Sequence, residues 1–200
     1  MGDIADRYRR RADAFDRTVA AVGPEDWSSP SPCAAWTASG VVDHVVAMHE
    51  HMVRSAGRVP AAAPPVHEDP LAAFRAARAG VEAVLADQAL SATECQTPAG
   101  PMTVERQIDE VVSDDLPVHR WDLAKATGLD DTIDPQDVER LWASTAAIPP
   151  DLMGKYRTPG AFGPGIEVFG PEVHVPDGAP LQHRLLGLVG RNPDWRPPGP

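Results

Sequence analysis

The sequence predicts an all-α protein, a helix bundle followed by a mostly irregular C-terminal extension. Three observations carry this. Apolar residues recur at helical spacing in three or four long segments. Most of these segments open on a capping residue and close near glycine or proline. After Pro149 the periodicity ends, and proline and glycine stay dense to Pro180. The 200 residues suffice for a single domain, 1–200, with a proper core. Within it the helical bundle is expected over 1–148. The extension over 149–200 is expected to pack a short terminal helix on that bundle.

The first helix runs from Asp3 to about Val22, with Ile4, Tyr8, Ala12, Phe15, Val19 and Val22 on one face. Gly23-Pro24 ends it, and a turn-rich stretch from Trp27 to Cys33 follows an extended path set by its prolines. The second helix starts near Thr37, which can cap the free amides of the first turn. It runs through Val41, His44, Val45, Met48 and Met52 to about Ser55, before Gly57. Asp69-Pro70 reads as cap plus first residue of a third helix carrying Leu71, Phe74, Val81, Val84 and Leu85. Thr93 to Gly100 reads as a loop or short hairpin. Thr103 caps a fourth helix, through Ile108, Val112, Asp115 and His119, to about Gly128. Asp134-Pro135 opens a fifth up to about Ala147. A short strand is expected at Glu172–Val175, a last helix at Leu181–Val189, and a disordered tail at Pro197–Pro200.

A net charge of −11 repels phosphate backbones and argues against nucleic acid as a partner. The basic run Arg7, Arg9, Arg10, Arg11 is flanked by Asp3, Asp6, Asp13 and Asp16, and reads as the solvated face of the first helix. No apolar run reaches about 18 residues, and the acidic N-terminus is unlike a secretory signal, so a cytoplasmic protein without a membrane span is expected. Cys33 and Cys95 are far apart and form no CxxC pair, which suits reduced thiols. An apolar face on the first or third helix would suit a homodimer.

The chemistry concentrates at Asp115 and His119. Four residues apart on a helix, they share a face. Stepping back through Val112 and Ile108 shows that they continue an apolar stripe. A carboxylate on a buried stripe is costly unless compensated, and a metal ion compensates it. His44 lies at the edge of the inner face of the second helix, and bundles build metal sites from inward residues of facing helices. Two imidazoles and one carboxylate suit Zn²⁺, Ni²⁺ or Fe²⁺ and leave a coordination position open. The bland alternatives are a hydrogen-bonded core histidine at 44 and a plain helical pair at 115 and 119. His51 could share the face of His44. Asp122 could orient the His119 imidazole or point to solvent beside Lys125.

Three segments resemble a known family. Trp36-Thr37-Ala38-Ser39-Gly40-Val41-Val42-Asp43-His44-Val45-Val46, preceded by Pro32-Cys33, is similar to the second-helix signature of DinB-like metal-binding proteins of actinobacterial type. Val118-His119-Arg120-Trp121-Asp122-Leu123-Ala124-Lys125-Ala126-Thr127-Gly128 and the ending Leu185 to Trp195 resemble later segments of the same group. The resemblance implies a DinB-like four-helix bundle of up-down-down-up type. It also implies metal ligands at His44, Asp115 and His119. Relatives include mycothiol-dependent maleylpyruvate isomerase and thiol S-transferases, so it implies a transferase or isomerase. Such an enzyme would take mycothiol or a similar low-molecular-weight thiol as co-substrate, and an electrophilic small molecule as partner. The alternative is a non-catalytic, metal-stabilised protein that binds or sequesters a small molecule. Three departures stand out: relatives often carry histidine or glutamate at position 115, Pro117 lies between the two helical ligands, and the chain looks too short for the isomerase's separate C-terminal domain.

Overall fold

The computed structural model describes residues 3–33, 36–97, 100–161 and 168–197. They divide into two compact units, one within Met1–Asp131 and one within Thr132–Arg196.

The first unit is a bundle of four long helices. These are α1 (Asp3–Ala21), α2 (Ala38–Ser55), α3 (Pro70–Ala86) and α6 (Asp115–Thr127). Helices α1 and α2 each pack on both α3 and α6, which closes the ring. The predicted faces turn inward: Tyr8, Ala12, Phe15 and Val19 of α1 are buried with Val41, Val45 and Met52 of α2 and Phe74, Val81 and Val84 of α3. Phe15 and Phe74 meet with ring centroids 4.8 Å apart. The caps act where the sequence places them. The Thr37 side chain accepts from the Gly40 N–H, Asp69 from Ala72 and Thr103 from Arg106. At Gly128, φ is +69°, a left-handed value that glycine adopts freely, and α6 ends there.

Between α3 and α6 the chain forms α4 (Gln88–Ser91), then a two-stranded antiparallel hairpin of β1 (Glu94–Thr97) and β2 (Gly100–Thr103). The fourth predicted helix is interrupted. After α5 (Val104–Ile108) comes a π-helical turn at Asp109–Ser113, closed by the Asp114 N–H donating to the Asp109 carbonyl at 2.9 Å. Pro117 accounts for a break here, because it offers no N–H to the Ser113 carbonyl and its ring would crowd that carbonyl in a regular helix.

The basic run on α1 departs from expectation. Arg7 and Arg11 are buried, at 7% and 3% exposure, and only Arg9 and Arg10 face outward. Two charged groups can enter the bundle because carboxylates meet them there: Asp109 pairs with Arg7 and Asp114 with Arg11.

The second unit holds α7 (Pro135–Ala146), α8 (Pro150–Tyr156) and α9 (Leu181–Leu188). Helix α7 packs on α9, where the Arg184 guanidinium lies 4.5 Å from the Trp142 ring centre. Helix α8 was not expected. At seven residues it is too short to show periodicity, although Pro150 suits its first position. The strand expected at 172–175 does not form. That segment lies along α9 instead, with the Val173 N–H donating to the Gly187 carbonyl at 3.0 Å. A side chain at Gly187 would place its first carbon 2.5 Å from the Val173 carbonyl oxygen, so glycine permits the approach. The expected disordered tail lies, from residue 198 on, outside the described residues. No helix among the described residues is long and apolar enough to cross a membrane.

Candidate metal centre

The three predicted residues come together. His44, on the second turn of α2, faces Asp115 at the first position of α6, with His119 one turn further along α6. His44 Nε2 is 3.5 Å from Asp115 Oδ2, and His119 Nε2 is 3.1 Å from Asp115 Oδ1. One potential ligand atom from each residue lies within 4.8 Å of the others. Tetrahedral coordination with bonds of about 2.0–2.1 Å puts neighbouring ligand atoms about 3.4 Å apart. The donor set therefore fits a divalent cation in chemistry and, after small adjustment, in spacing.

Burial grades across the site. His119 is buried, whereas the His44 and Asp115 side chains keep 28% and 32% of their surface. Asp122 is fully buried, and its Oδ2 lies 3.0 Å from His119 Nδ1. Lys125 pairs with Asp131 instead. Asp122 thus orients the imidazole and leaves Nε2 to face Asp115. Trp36 adds a wall that sequence reasoning passed over. Its ring stacks on His44 at 4.6 Å and 28°, and lies 5.6 Å from the His119 ring. The turn before α2 holds it there: the Trp36 N–H donates to the Cys33 carbonyl, and the Ser31 N–H to the Trp36 carbonyl. The only advance signal was its place in the second-helix motif.

Burial disfavours the charged form of His119, but the Asp115 carboxylate and the hydrogen bonds to Asp115 and Asp122 override this and raise its pKa to about 9. The opposite balance holds for Asp115. Burial favours its neutral form, yet the charge and hydrogen bond of His119, then those of His44, keep its pKa below the ordinary range. The pair is thus a carboxylate against an imidazolium when no cation is bound.

The other histidines stay apart from this cluster. His51 is exposed, with Nε2 3.4 Å from the Ser55 hydroxyl. His49 is buried deeper in the bundle, beside the rings of Tyr8 and Phe74. Its Nδ1 lies 2.7 Å from the Val45 carbonyl, so Nδ1 carries the proton of the neutral ring. Its Nε2 has no hydrogen-bond partner among the described residues, and burial lowers its pKa to about 4. Cys33 and Cys95 are both half-buried, and neither is in a disulfide.

Fold and centre together define a helical-bundle protein with a half-open histidine–aspartate–histidine cluster between two of its helices. Residues 8–124 match the model of the mycothiol maleylpyruvate isomerase N-terminal domain, and the chain belongs to that family. Two uncharacterised proteins of Mycobacterium tuberculosis, one from strain H37Rv and one from strain CDC 1551 / Oshkosh, are each 33% identical over 187 residues, covering 92% of this chain and 95% of theirs. Among solved structures, a mycothiol-dependent maleylpyruvate isomerase aligns over 96% of this chain and 90% of its own, with TM-score 0.61 and 13% identity. A histidine-to-alanine mutant of a mycothiol-dependent maleylpyruvate isomerase aligns over 79% of this chain and 73% of its own, with TM-score 0.55 and 13% identity. At that identity the likeness is one of fold.

Proposed function

We propose that this protein holds one divalent cation through His44, Asp115 and His119, and uses it to activate a low-molecular-weight thiol such as mycothiol against an electrophilic small molecule. Zinc suits two imidazoles and a carboxylate best, with nickel and iron as the alternatives. The convergence of the three donors at the open edge of α2 and α6 carries the reading. Membership of a family that includes a mycothiol-dependent isomerase supports the choice of thiol. A cytoplasmic setting, where small thiols stay reduced, suits this chemistry.

A cation at such a site supplies Lewis acidity, which lowers the pKa of a thiol presented to it. The protein's own groups do the rest. Asp122 fixes the tautomer of His119 by taking its Nδ1–H. Trp36 covers one face of the His44 ring and restricts its rotation. Partial exposure of His44 and Asp115 leaves a side from which a small molecule can enter. Three protein ligands leave room for a fourth from the substrate.

Elemental analysis of the purified protein comes first, with about one metal ion per chain expected and none refuting the centre. Reaction of mycothiol with monobromobimane is then compared between wild type and His119→Ala. Equal rates would refute metal-dependent thiol transfer. A bound metal whose removal unfolds the protein, without any thiol chemistry, would favour the non-catalytic binding protein.

A further inference from the structure

The two buried arginines of α1 both end on the π turn that leads into Asp115. Arg7 grips Asp109 with two parallel bonds, Nε to Oδ1 at 3.0 Å and Nη2 to Oδ2 at 2.6 Å. One turn along α1, Arg11 Nη1 donates to Asp114 Oδ1 at 2.6 Å and to the Ser113 hydroxyl at 3.1 Å. Asp109 begins the π turn and Asp114 follows it, and the wide backbone bond that closes the turn joins these same two residues. The next residue in the chain is Asp115.

We propose that Arg7 and Arg11 are positioning residues for the metal centre, holding the π turn open so that Asp115 and His119 leave α6 toward His44. The proposal rests on the metal reading above. A π turn carries one residue more than an α-turn. Reverting it to α-helix would rotate the following residues by about 100° and slide them by about 1.5 Å. Either motion takes the Asp115 carboxylate off His44 Nε2. Packing alone does not need three buried charges and a half-buried one at this place, because apolar side chains join helices at least as well. A bidentate guanidinium–carboxylate pair adds direction, which a turn of unusual geometry requires.

The test uses the full chain as Arg7→Met, Arg11→Met and Asp114→Asn. Arg75→Met is the control, because Arg75 pairs bidentately with Asp16 and joins α3 to α1 away from the π turn. Zinc affinity is read by competition with a chromogenic chelator, ligand geometry by the visible bands of the Co²⁺-loaded protein, and folding by far-UV circular dichroism. The first three variants are expected to keep their helical signal, bind zinc about tenfold or more weakly, and shift the Co²⁺ bands. Arg75→Met is expected to keep the wild-type affinity and bands, and Arg11→Lys to lie between Arg11→Met and wild type. Folded variants with wild-type affinity and bands would overturn the proposal. So would an equal loss in Arg75→Met, which would mark the effect as general destabilisation. If the arginine variants do not fold, the half-buried Asp114→Asn decides by the same two readouts. A wild-type protein that binds no zinc or Co²⁺ would instead refute the metal reading itself, and the proposal with it.

Discussion

His49 makes acid stability a quantitative test of the bundle core. Its side chain is 1% exposed, and Nε2, the atom that would take a second proton, has no partner among the described residues. The folded-state pKa is lowered from 6.5 to about 4. As pH falls, the unfolded chain therefore binds this proton first, and stability is lost between about pH 6.5 and pH 4. At about 1.36 kcal/mol per pK unit, the loss between about pH 7 and pH 4.5 comes to about 2.5 kcal/mol. The other shifted groups of the site act elsewhere. His119, with its pKa raised to about 9, contributes stability fully below pH 6.5 and loses it as pH rises through 9. Asp115, whose pKa is lowered, contributes above the ordinary carboxylate range and loses stability only in stronger acid. Urea unfolding of the chelator-treated protein is measured at several values from about pH 7 to 4.5, for wild type and His49→Leu. The stability difference between them is expected to shrink by about 2.5 kcal/mol in favour of the variant on acidification. A difference that stays constant across the range would refute the assignment of a buried, neutral His49.

Asp122→Asn keeps the shape of the contact to His119 but removes its charge. It is expected to weaken zinc binding about 10- to 100-fold at unchanged stoichiometry, read by chelator competition, and an unchanged affinity would deny Asp122 its orienting role. Phe74→Ala empties a fully buried position against Phe15 and His49, and is expected to cost about 3–5 kcal/mol in urea unfolding. Zinc binding at about pH 7 is expected to release about one proton, because His119 with its pKa of about 9 must lose the proton on Nε2. Titration calorimetry in buffers of different ionisation enthalpy checks this, and heats independent of buffer would contradict it.

The bundle was legible because its signals are local. Tyr8, Phe15 and Val19 repeat at the helical period, and Thr37, Asp69, Thr103 and Asp134 cap where a short polar side chain meets free amides. Asp115 and His119 stood out for a different reason, since polar groups on an apolar stripe need a cause. The misreadings share a physical origin in partners distant along the chain. Arg7 and Arg11 look solvated among Asp3, Asp6 and Asp13, and only the fold shows Asp109 and Asp114, about a hundred positions away, drawing them inward. The π turn has no propensity signal of its own. Pro117 was visible, but not how the chain would accommodate it. Residues 172–175 look like a strand because they are extended and β-branched, yet α9 takes them in place of another strand.

The charges of the site can be followed to one consequence. Asp115 presents its carboxylate to both His44 and His119, and a protonated His119 offsets that charge when no cation is bound. A divalent cation with both imidazoles neutral would take the place of that proton. The bundle has dealt with the buried Asp109 differently, since it has its own arginine. An arginine in place of the cation would satisfy Asp115, but it would close the site and leave nothing to hold a thiol. The arrangement makes sense if the Asp115 charge is kept for a ligand that can be shared with a substrate. Arg7 and Arg11, one step away at the π turn, then neutralise the neighbouring acids without entering the centre, so that the carboxylate facing His44 keeps its charge available.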